Sequence, residues 1–181
     1  MEKDAVTLKD VQEAAKRLAS VVHKTPLESN HTFSTIAGHE VLLKLENMQR
    51  TGSFKVRGAS NCIQTLSPEK KACGVITASA GNHAQGVALG ASKAGIKSTI
   101  VMPEGAPLAK IEATRGYGAE VVLAGSVYDE AFAEAVRIQK ETGATFVHAY
   151  DNPAVIAGQG TIGLEILEQC PDIKAIVVPV G

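Results

Sequence analysis

The chain has 181 residues, a formal net charge of −1 and no tryptophan. This length corresponds to one domain or two small ones, and the 45% hydrophobic residues are enough for a core. Near-neutral charge gives no electrostatic basis for binding nucleic acid or anionic lipid, and the few aromatic residues do not favour a reader of single strands. Because no apolar run reaches the roughly 18 residues of a membrane span, we expect neither nucleic acid nor membrane as a partner.

The cysteines and histidines offer no framework for disulfides or metal. Cys62, Cys73 and Cys170 are far apart and odd in number, and the five histidines lack the HExxH spacing of zinc enzymes. No signal peptide is evident at the start. We therefore expect a metal-free protein of the reducing cytoplasm. The last residues, Ile176–Gly181, are apolar where chain ends are usually polar, which predicts that a longer protein continues beyond them.

Hydrophobic periodicity predicts a first helix from Thr7, with Asp10 completing a capping box. Short apolar strands and amphipathic helices then alternate. The strands are predicted at Val41–Leu45, Val75–Ala78, Ser98–Met102, Glu120–Leu123, Thr145–Val147 and Ala175–Val180. The helices are predicted at Phe54–Leu66, Asn82–Ala94, Leu108–Arg115, Tyr128–Lys140 (capped by Ser126 and ended by Gly143) and Pro153–Gln169. This order predicts an α/β fold, a mostly parallel sheet with helices on both faces.

A lysine occupies the junction before the helix predicted at Phe54–Leu66. Lys55 falls in or beside the first turn of that helix. The partial positive charge of a helix N-terminus disfavours a second positive charge, which lowers the pKa of the lysine and favours the neutral amine that a Schiff base requires. The alternative is a solvated lysine at a helix start. Arg50 and Arg57 have the same ordinary interpretation, as solvated or locally paired charges.

A second junction, Ser-Ala-Gly-Asn-His, directly follows the strand that ends at residue 78. Ala80 and Gly81 permit close backbone approach, and the next helix presents free N–H groups, so this loop suits a phosphate or a carboxylate. Asn82 and His83 could add side-chain hydrogen bonds. The alternative is an ordinary turn in which Ser79 or Asn82 caps the helix. The position at the carboxyl end of a strand favours a ligand site.

One motif imitates a dinucleotide fingerprint. Gly158–Gly163 matches GxGxxG, but that fingerprint must follow a strand directly and open a helix. The spacing of the apolar residues instead indicates that the glycines lie inside a helix; these residues are Val155, Ile156, Ile162 and Ile166. We predict that these small residues serve close helix packing, and a nucleotide-binding module remains a distant alternative.

Four segments, taken in order, resemble one family: Ser53-Phe-Lys-Val-Arg-Gly-Ala59, Ser79-Ala-Gly-Asn-His-Ala-Gln-Gly86, Ala157-Gly-Gln-Gly-Thr161 and Val177-Val-Pro-Val-Gly181. They are similar to motifs of the fold-type II pyridoxal-phosphate enzymes, and most specifically of the threonine dehydratase (threonine ammonia-lyase) family. Serine dehydratase and serine racemase are close relatives of that family. The resemblance runs from about Val11 to the last residue. It implies a three-layer, tryptophan synthase β-like fold, of which this sequence would be the N-terminal portion.

The resemblance also implies a division of the chain. Residues 1–50 would begin the large cofactor domain, residues 51–150 would form a small α/β domain, and residues 151–181 would return to the large domain. The return would stop at the phosphate-binding loop, of which Gly181 would be the first glycine.

Site roles follow from the same resemblance. Lys55 would form the Schiff base with pyridoxal 5'-phosphate, Phe54 would pack beside the pyridine ring, and Asn82 would bind the ring hydroxyl. The substrate carboxylate would bind the loop formed by Ser79, Ala80, Gly81, Asn82 and His83.

The implied reaction is β-elimination of the hydroxyl from L-threonine or L-serine, with Lys55 as general base. It yields 2-oxobutanoate or pyruvate, plus ammonia. Racemase relatives carry a second serine at the position of Ala80, where it acts as the acid on the opposite face of the cofactor. The methyl group of Ala80 cannot do this, so we predict elimination with little racemisation. The alternatives are a serine racemase-type enzyme and a fragment that folds without catalysing.

Regulation and assembly are further expectations from the resemblance. Catabolic relatives can bind AMP between subunits, and the matching residues here are Arg50, Thr51, Gln85 and Tyr117. The alternative is that these four residues are structural or merely lie on the surface. Dimers and tetramers are common in the family, so we expect a homodimer or homotetramer.

Overall fold

The computed structural model describes residues 6–179. Within them the helices are α1 (Leu8–Leu18), α2 (His31–Ala37), α3 (Lys55–Gln64), α4 (Pro68–Cys73), α5 (Asn82–Lys93), α6 (Leu108–Gly116), α7 (Tyr128–Thr142) and α8 (Pro153–Gln169). The strands are β1 (Leu27–Ser29), β2 (Leu42–Lys44), β3 (Val75–Ala78), β4 (Ser98–Met102), β5 (Glu120–Leu123) and β6 (Thr145–Phe146). A single 3₁₀ turn, Glu46–Met48, follows β2.

Four strands form one parallel sheet in the order β5-β4-β3-β6. Val75 of β3 pairs with Ser98 on one side and with Thr145 on the other. The remaining strands, β1 and β2, form a separate antiparallel pair, with Leu27 opposite Lys44. The predicted α/β fold with a mostly parallel sheet is therefore confirmed.

The core lies on both faces of the parallel sheet because successive side chains of a strand point to opposite faces. Val75 packs into a cluster with residues of α3 and α5, among them Ile63 and Val87. Its neighbour Ile76 packs on the other face, in a cluster with Ala131 of α7. All four residues of β3 are buried, as expected for a central strand covered on both faces.

Most predicted elements are confirmed, several with the predicted bounds: β3, β4, β5 and α8. The predicted capping box of α1 forms between Thr7 and Asp10, and the helix ends at Leu18. Gly143 ends α7 in a left-handed conformation with φ of 71°. The elements missed in sequence, β1, α2 and α4, have only three to seven residues, too few for a periodic pattern.

Two local predictions are wrong. Residues 175–179 form no strand and are exposed, because a strand needs a hydrogen-bonded neighbour and none pairs with them within the described range; Val180 lies outside it. Ser126 does not cap α7, whose N-cap is Val127 without a side-chain bond. Instead the backbone N–H and hydroxyl of Ser126 donate to the carboxylate of Glu130, at 2.6 and 3.0 Å.

The GxGxxG run lies inside α8, as predicted. A Cβ on Gly158 would come within 2.6 Å of the Arg57 carbonyl oxygen, and one on Gly160 within 3.0 Å of Val11. These glycines allow α3 and α1 to pack closely against α8, which confirms the packing interpretation at both positions. Gly163 meets nothing within 4 Å. Across residues 6–179, no helix has the length and apolar character needed to span a membrane.

Candidate functional site

Lys55 is the first residue of α3, directly after the N-cap Phe54. Its Nζ donates a hydrogen bond to the Ala149 carbonyl oxygen at 3.0 Å and lies 5.3 Å from the centroid of the Phe54 ring. Burial lowers the pKa of Lys55, and the helix N-terminus acts in the same direction. No carboxylate within residues 6–179 forms an ion pair with it. Burial therefore disfavours the charged form of the amine, in the direction that the sequence suggested.

The helix that follows the second junction packs against the backbone of Lys55. A Cβ on Gly86 of α5 would lie 3.0 Å from the Lys55 carbonyl carbon and from the Val56 nitrogen. Any larger residue at this position would push α5 away from the start of α3. The absence of a side chain thus brings the two predicted junctions together into one site.

The loop between β3 and α5 leaves the helix N-terminus uncapped. The N-cap is Gly81, which has no side chain, and Asn82 is the exposed first residue of the helix. The Ser79 hydroxyl accepts a hydrogen bond from the Gly81 N–H at 3.2 Å. The capping alternative for Ser79 and Asn82 is therefore wrong. The first N–H groups of α5 remain free of side-chain partners, which suits an anion.

His83 is almost fully buried, with 4% of its surface exposed. Its Nε2 lies 2.9 Å from the Val147 carbonyl oxygen, which also accepts from the Thr77 hydroxyl. A carbonyl can only accept, so Nε2 carries the proton of the neutral ring. Burial lowers the pKa of His83 to about 4, and nearby Lys55 contributes in the same direction. The side chain therefore offers an acceptor at Nδ1, and its N–H is already used.

Three buried polar atoms around this site lack a hydrogen-bond partner among the described residues. They are the Thr51 and Ser53 hydroxyls, shortly before Lys55, and Nδ1 of His83. Leaving a buried polar group unpaired costs about 1–3 kcal/mol, so such groups need an explanation. Two hydroxyls and an imidazole acceptor, together with an amine that has no carboxylate partner among the described residues, have the chemistry to hold a polar cofactor. The residues present fit such a group.

Arg57 is the main residue that sequence reasoning misjudged. Its side chain is fully buried, where the sequence predicted a solvated or locally paired charge. It makes two hydrogen bonds to Glu46, at 2.8 and 2.9 Å, and two to Glu165, at 2.6 and 3.0 Å. Burial alone would lower the pKa of Arg57, but these carboxylates raise it. Glu165 is 108 residues away, so no local pattern could have indicated this pairing.

The residues suggested for AMP are only partly brought together. The Tyr117 hydroxyl donates to the Arg50 carbonyl oxygen at 3.2 Å, and Thr51 follows directly in the chain. Gln85 is buried in α5 and forms no hydrogen bond with the other three. Of the predicted cofactor residues, Gly181 lies outside the described range.

A cavity that the sequence did not indicate lies on the side of the parallel sheet that α7 covers. It has a volume of about 180 Å³ and lies at the carboxyl ends of β3 and β6. We call it the aromatic cavity, and its lining consists of Thr77, Ala78, Tyr128, Phe132, Phe146, His148, Ala149 and Tyr150. Ala149 is the residue whose carbonyl binds Lys55. Elsewhere in the described part of the chain, no cluster of three His, Cys, Asp or Glu residues is arranged to hold a metal ion.

Comparison with known proteins gives consistent matches. The chain is 57% identical over 176 residues to an L-threonine ammonia-lyase of Thermotoga maritima, covering 97% of this chain and 44% of that protein. It is 54% identical to a catabolic L-threonine dehydratase of Staphylococcus aureus, and that match covers 97% of this chain and 51% of that protein. The structure matches maize serine racemase with a TM-score of 0.90 at 40% identity. This match covers 93% of this chain and 51% of the racemase chain.

The chain thus spans about half the length of the relatives it matches. Residues 9–181 match the family model described as pyridoxal-phosphate dependent enzyme. The match covers nearly the whole chain and includes both junctions of the site. On this basis, together with the high identity to its relatives, the chain belongs to the family of pyridoxal-phosphate dependent enzymes.

Proposed function

We propose that this chain carries the lysine and the carboxylate loop of a threonine ammonia-lyase. The reaction converts L-threonine to 2-oxobutanoate and ammonia, and L-serine to pyruvate and ammonia. One observation carries the proposal: Lys55, whose amine has no ion-pair partner among the described residues, has its backbone packed against Gly86 of α5, and the N-terminus of that helix has no side-chain cap. The names of the relatives support the substrate, L-threonine.

Pyridoxal phosphate, when bound, supplies an electron sink that stabilises negative charge at the Cα of an amino acid. We propose that Lys55 holds it covalently, that Phe54 packs beside its ring and that Asn82 binds its ring hydroxyl. The free hydroxyls of Thr51 and Ser53 are available as further donors. Gly181 would take part in holding the phosphate.

The substrate carboxylate would bind the backbone N–H groups of the loop Ser79–His83. This geometry places a negative charge at the positive end of the helix dipole of α5. For His83 we propose the backbone N–H as donor, since its side-chain N–H is already bound to Val147. The loop therefore orients the substrate while the imidazole stays neutral.

Lys55 would act as the general base that takes the proton from Cα. A base must be unprotonated, and partial burial without a counter-ion favours that state. The hydrogen bond to the Ala149 carbonyl holds Nζ in place without stabilising its charge as a carboxylate would. The proton then returns to solvent or to the leaving hydroxyl.

Racemisation is the second candidate, favoured by the similarity to maize serine racemase. A racemase needs a proton donor on the opposite face, and the methyl group of Ala80 has none. We therefore propose elimination as the main activity. Incubation with L-serine should yield pyruvate with little D-serine, as measured by chiral chromatography. D-serine formed as fast as pyruvate would favour the racemase.

The test of the main proposal is the variant Lys55→Ala in the purified protein. We expect loss of the visible absorbance of bound pyridoxal phosphate and a decrease in threonine deamination of roughly 10⁴-fold, the upper range for a positioned acid–base group. Lys93→Ala, at the exposed end of α5, is the matched control and should retain both properties. Unchanged deamination in Lys55→Ala would overturn the proposal.

We also propose that AMP binds at a subunit interface of a homo-oligomer, at Arg50, Thr51, Gln85 and Tyr117. The contact of Tyr117 with the Arg50 carbonyl supports a shared site for at least these two residues. AMP should lower the KM for threonine or increase the sedimentation coefficient, and Arg50→Ala should remove the effect. The proposal fails if AMP changes neither property of the wild-type protein.

A further inference from the structure

We propose that the imidazole of His83 is a positioning residue for Lys55. It ties α5, which packs against the backbone of the lysine, to the segment whose carbonyl group binds the lysine amine. We call this segment, residues 147–149 directly after β6, the carbonyl segment. The inference rests on the proposed function, in which Lys55 acts as general base, and adds a side chain that does not touch the reacting atoms.

The carbonyl segment contacts both junctions of the site. The carbonyl oxygen of Ala149 accepts a hydrogen bond from the Lys55 Nζ at 3.0 Å. Two residues earlier, the carbonyl oxygen of Val147 accepts from Nε2 of His83 at 2.9 Å. Two residues of extended chain span at most about 7 Å. A movement of Val147 relative to α5 is therefore passed on to the group that holds the lysine amine.

The imidazole and the lysine backbone belong to one packed unit. His83 lies in the first turn of α5, and its side chain is buried. Three residues later, Gly86 has no Cβ, so α5 lies directly against the backbone of Lys55. The backbone of Lys55 is thus located by α5, and its amine is located by the carbonyl segment. The hydrogen bond of His83 links these two supports.

The parallel sheet holds only the start of the carbonyl segment. The N–H of Val147 donates to the Ile76 carbonyl oxygen at 2.9 Å, which continues the pairing of β6 with β3. Beyond this bond, within residues 6–179, His148 and Ala149 make no backbone–backbone hydrogen bond. The position of the Ala149 carbonyl relative to the lysine therefore depends on contacts made by side chains.

A second donor reaches the same carbonyl group and provides a comparison. The Thr77 hydroxyl donates to the Val147 oxygen at 2.9 Å, and its side chain is also buried. Thr77 belongs to β3, which already pairs with β6. Its bond therefore adds no link to α5, whereas the bond of His83 joins that helix to the carbonyl segment. The two hydrogen bonds have equal lengths and differ in what they connect.

The link requires an uncharged donor with the reach of Nε2. Burial, followed by the charge of Lys55, lowers the pKa of His83 to about 4, so the ring is neutral and places no positive charge beside the amine. The amide of glutamine offers an uncharged N–H at the reach of Nε2. The shorter amide of asparagine reaches only as far as Nδ1, and leucine has no donor. Glutamine should therefore replace His83, and the other two should not.

The first test is structural and does not depend on turnover. In crystal structures of the cofactor-free protein, His83→Leu should move the Lys55 Nζ beyond hydrogen-bonding distance of the Ala149 oxygen, more than about 3.5 Å. His83→Gln and Thr77→Val should retain the wild-type contact. His83→Asn should behave like His83→Leu, and it provides a polar variant in case leucine disturbs folding.

The second test is the division of the effect between kcat and KM in the cofactor-loaded protein. His83→Leu and His83→Asn should lower kcat for L-threonine at least tenfold, because a displacement of about 1 Å can cost 10²-fold in rate. Their KM should change less than twofold, since the loop keeps its backbone N–H groups. His83→Gln should restore most of kcat, and Thr77→Val should stay within twofold of the wild type.

Several outcomes would overturn the inference. One is a lysine amine that stays on the Ala149 carbonyl in both His83→Leu and His83→Asn. Another is an unchanged kcat in a variant whose amine has moved, and a third is an equal loss of kcat in Thr77→Val, which would indicate general destabilisation. In each of these cases the proposed function stands. If the wild-type protein does not deaminate threonine, the proposed reaction is wrong, and the structures of the variants still decide whether His83 positions Lys55.

Discussion

Two cations on α3, only two residues apart, have opposite environments. Lys55 is partly buried, and its Nζ donates to a backbone carbonyl and forms no ion pair with a carboxylate within residues 6–179. Arg57 is fully buried and bonded to the carboxylates of Glu46 and Glu165. The first therefore loses hydration without gaining a counter-ion, whereas the second is surrounded by compensating charge.

On the Arg57 side of α3, charged side chains form a network of ion pairs. Lys44 pairs with Glu165 at 2.6 Å, so the two cations Lys44 and Arg57 face the two carboxylates Glu46 and Glu165. Glu46 lies in the 3₁₀ turn and Glu165 lies in α8, far apart in the sequence. This network of ion pairs holds α3 against α8 and against the 3₁₀ turn after β2. The comparison teaches that one helix can be held firmly on one face while its other face keeps an amine free for chemistry.

The largest predicted effect compares the same substitution at both positions. Arg57→Met should reduce the free energy of unfolding by about 3–5 kcal/mol, because it leaves the Glu46 carboxylate without a cation and Glu165 with Lys44 alone. Lys55→Met removes an unpaired charge and should change the unfolding free energy by less than about 1 kcal/mol. Urea denaturation of both variants measures the difference.

A rescue sharpens this test. Adding Glu46→Gln to Arg57→Met should recover part of the lost stability, since Glu46 then carries no unpaired charge while Glu165 still pairs with Lys44. Equal destabilisation by Arg57→Met and Lys55→Met would contradict the contrast between the two faces.

The next effect is a pH dependence on the Lys55 side, where His83 is also buried without a counter-ion. Its pKa of about 4 in the folded protein lies below the ordinary histidine value of 6.5, so the unfolded state binds more protons between these pH values. The contribution of neutral His83 to the free energy of unfolding is fully present above about pH 6.5. It is lost as the pH decreases toward 4, and the loss amounts to about 3 kcal/mol. Urea denaturation across this range measures it.

The variant His83→Gln should flatten this pH dependence. His148→Gln, a change of an exposed histidine close by, is the control and should retain it. If wild type and His83→Gln lose stability equally between pH 6.5 and 4, His83 is not neutral in the folded protein.

A smaller effect is expected where α8 contacts the backbone of Arg57. A Cβ on Gly158 would lie 2.6 Å from the Arg57 oxygen, so Gly158→Ala should cost about 1–3 kcal/mol through overpacking. Gly163→Ala in the same helix meets nothing within 4 Å and should be neutral or slightly stabilising. Thermal unfolding of the pair provides the measurement, and equal melting temperatures would argue against close packing at Gly158.

The smallest effect is expected on the Lys55 side of α3. A Cβ on Gly86 would lie 3.0 Å from the backbone of Lys55 and Val56, a less severe contact. Gly86→Ala should cost about 1 kcal/mol, at the lower end for overpacking. Gly116→Ala, with open space around it, serves as the control in the same thermal unfolding experiment. If Gly86→Ala lowered the stability more than Gly158→Ala does, the packing would be closer on the Lys55 side of α3 than on the Arg57 side, which would contradict the prediction.

Much of the fold could be predicted because its signals are local. β3, β4 and β5 are short runs rich in β-branched residues, bounded by turn residues, and they appear with the predicted bounds. The position of Lys55 at a helix start and the small residues of the anion loop are equally visible in sequence. Backbone preferences act over a few residues, so such features do not depend on the rest of the chain.

By itself, the sequence determined the order of helices and strands, the two junctions and the family resemblance that residues 9–181 confirm. Only the tertiary structure decided that Arg57 meets Glu165, that His83 donates to Val147, and that residues between 77 and 150 line an open cavity. The physical reason is that burial and pairing depend on which helices pack together. That packing joins side chains more than 100 residues apart, such as Arg57 and Glu165, whose partners no local pattern specifies.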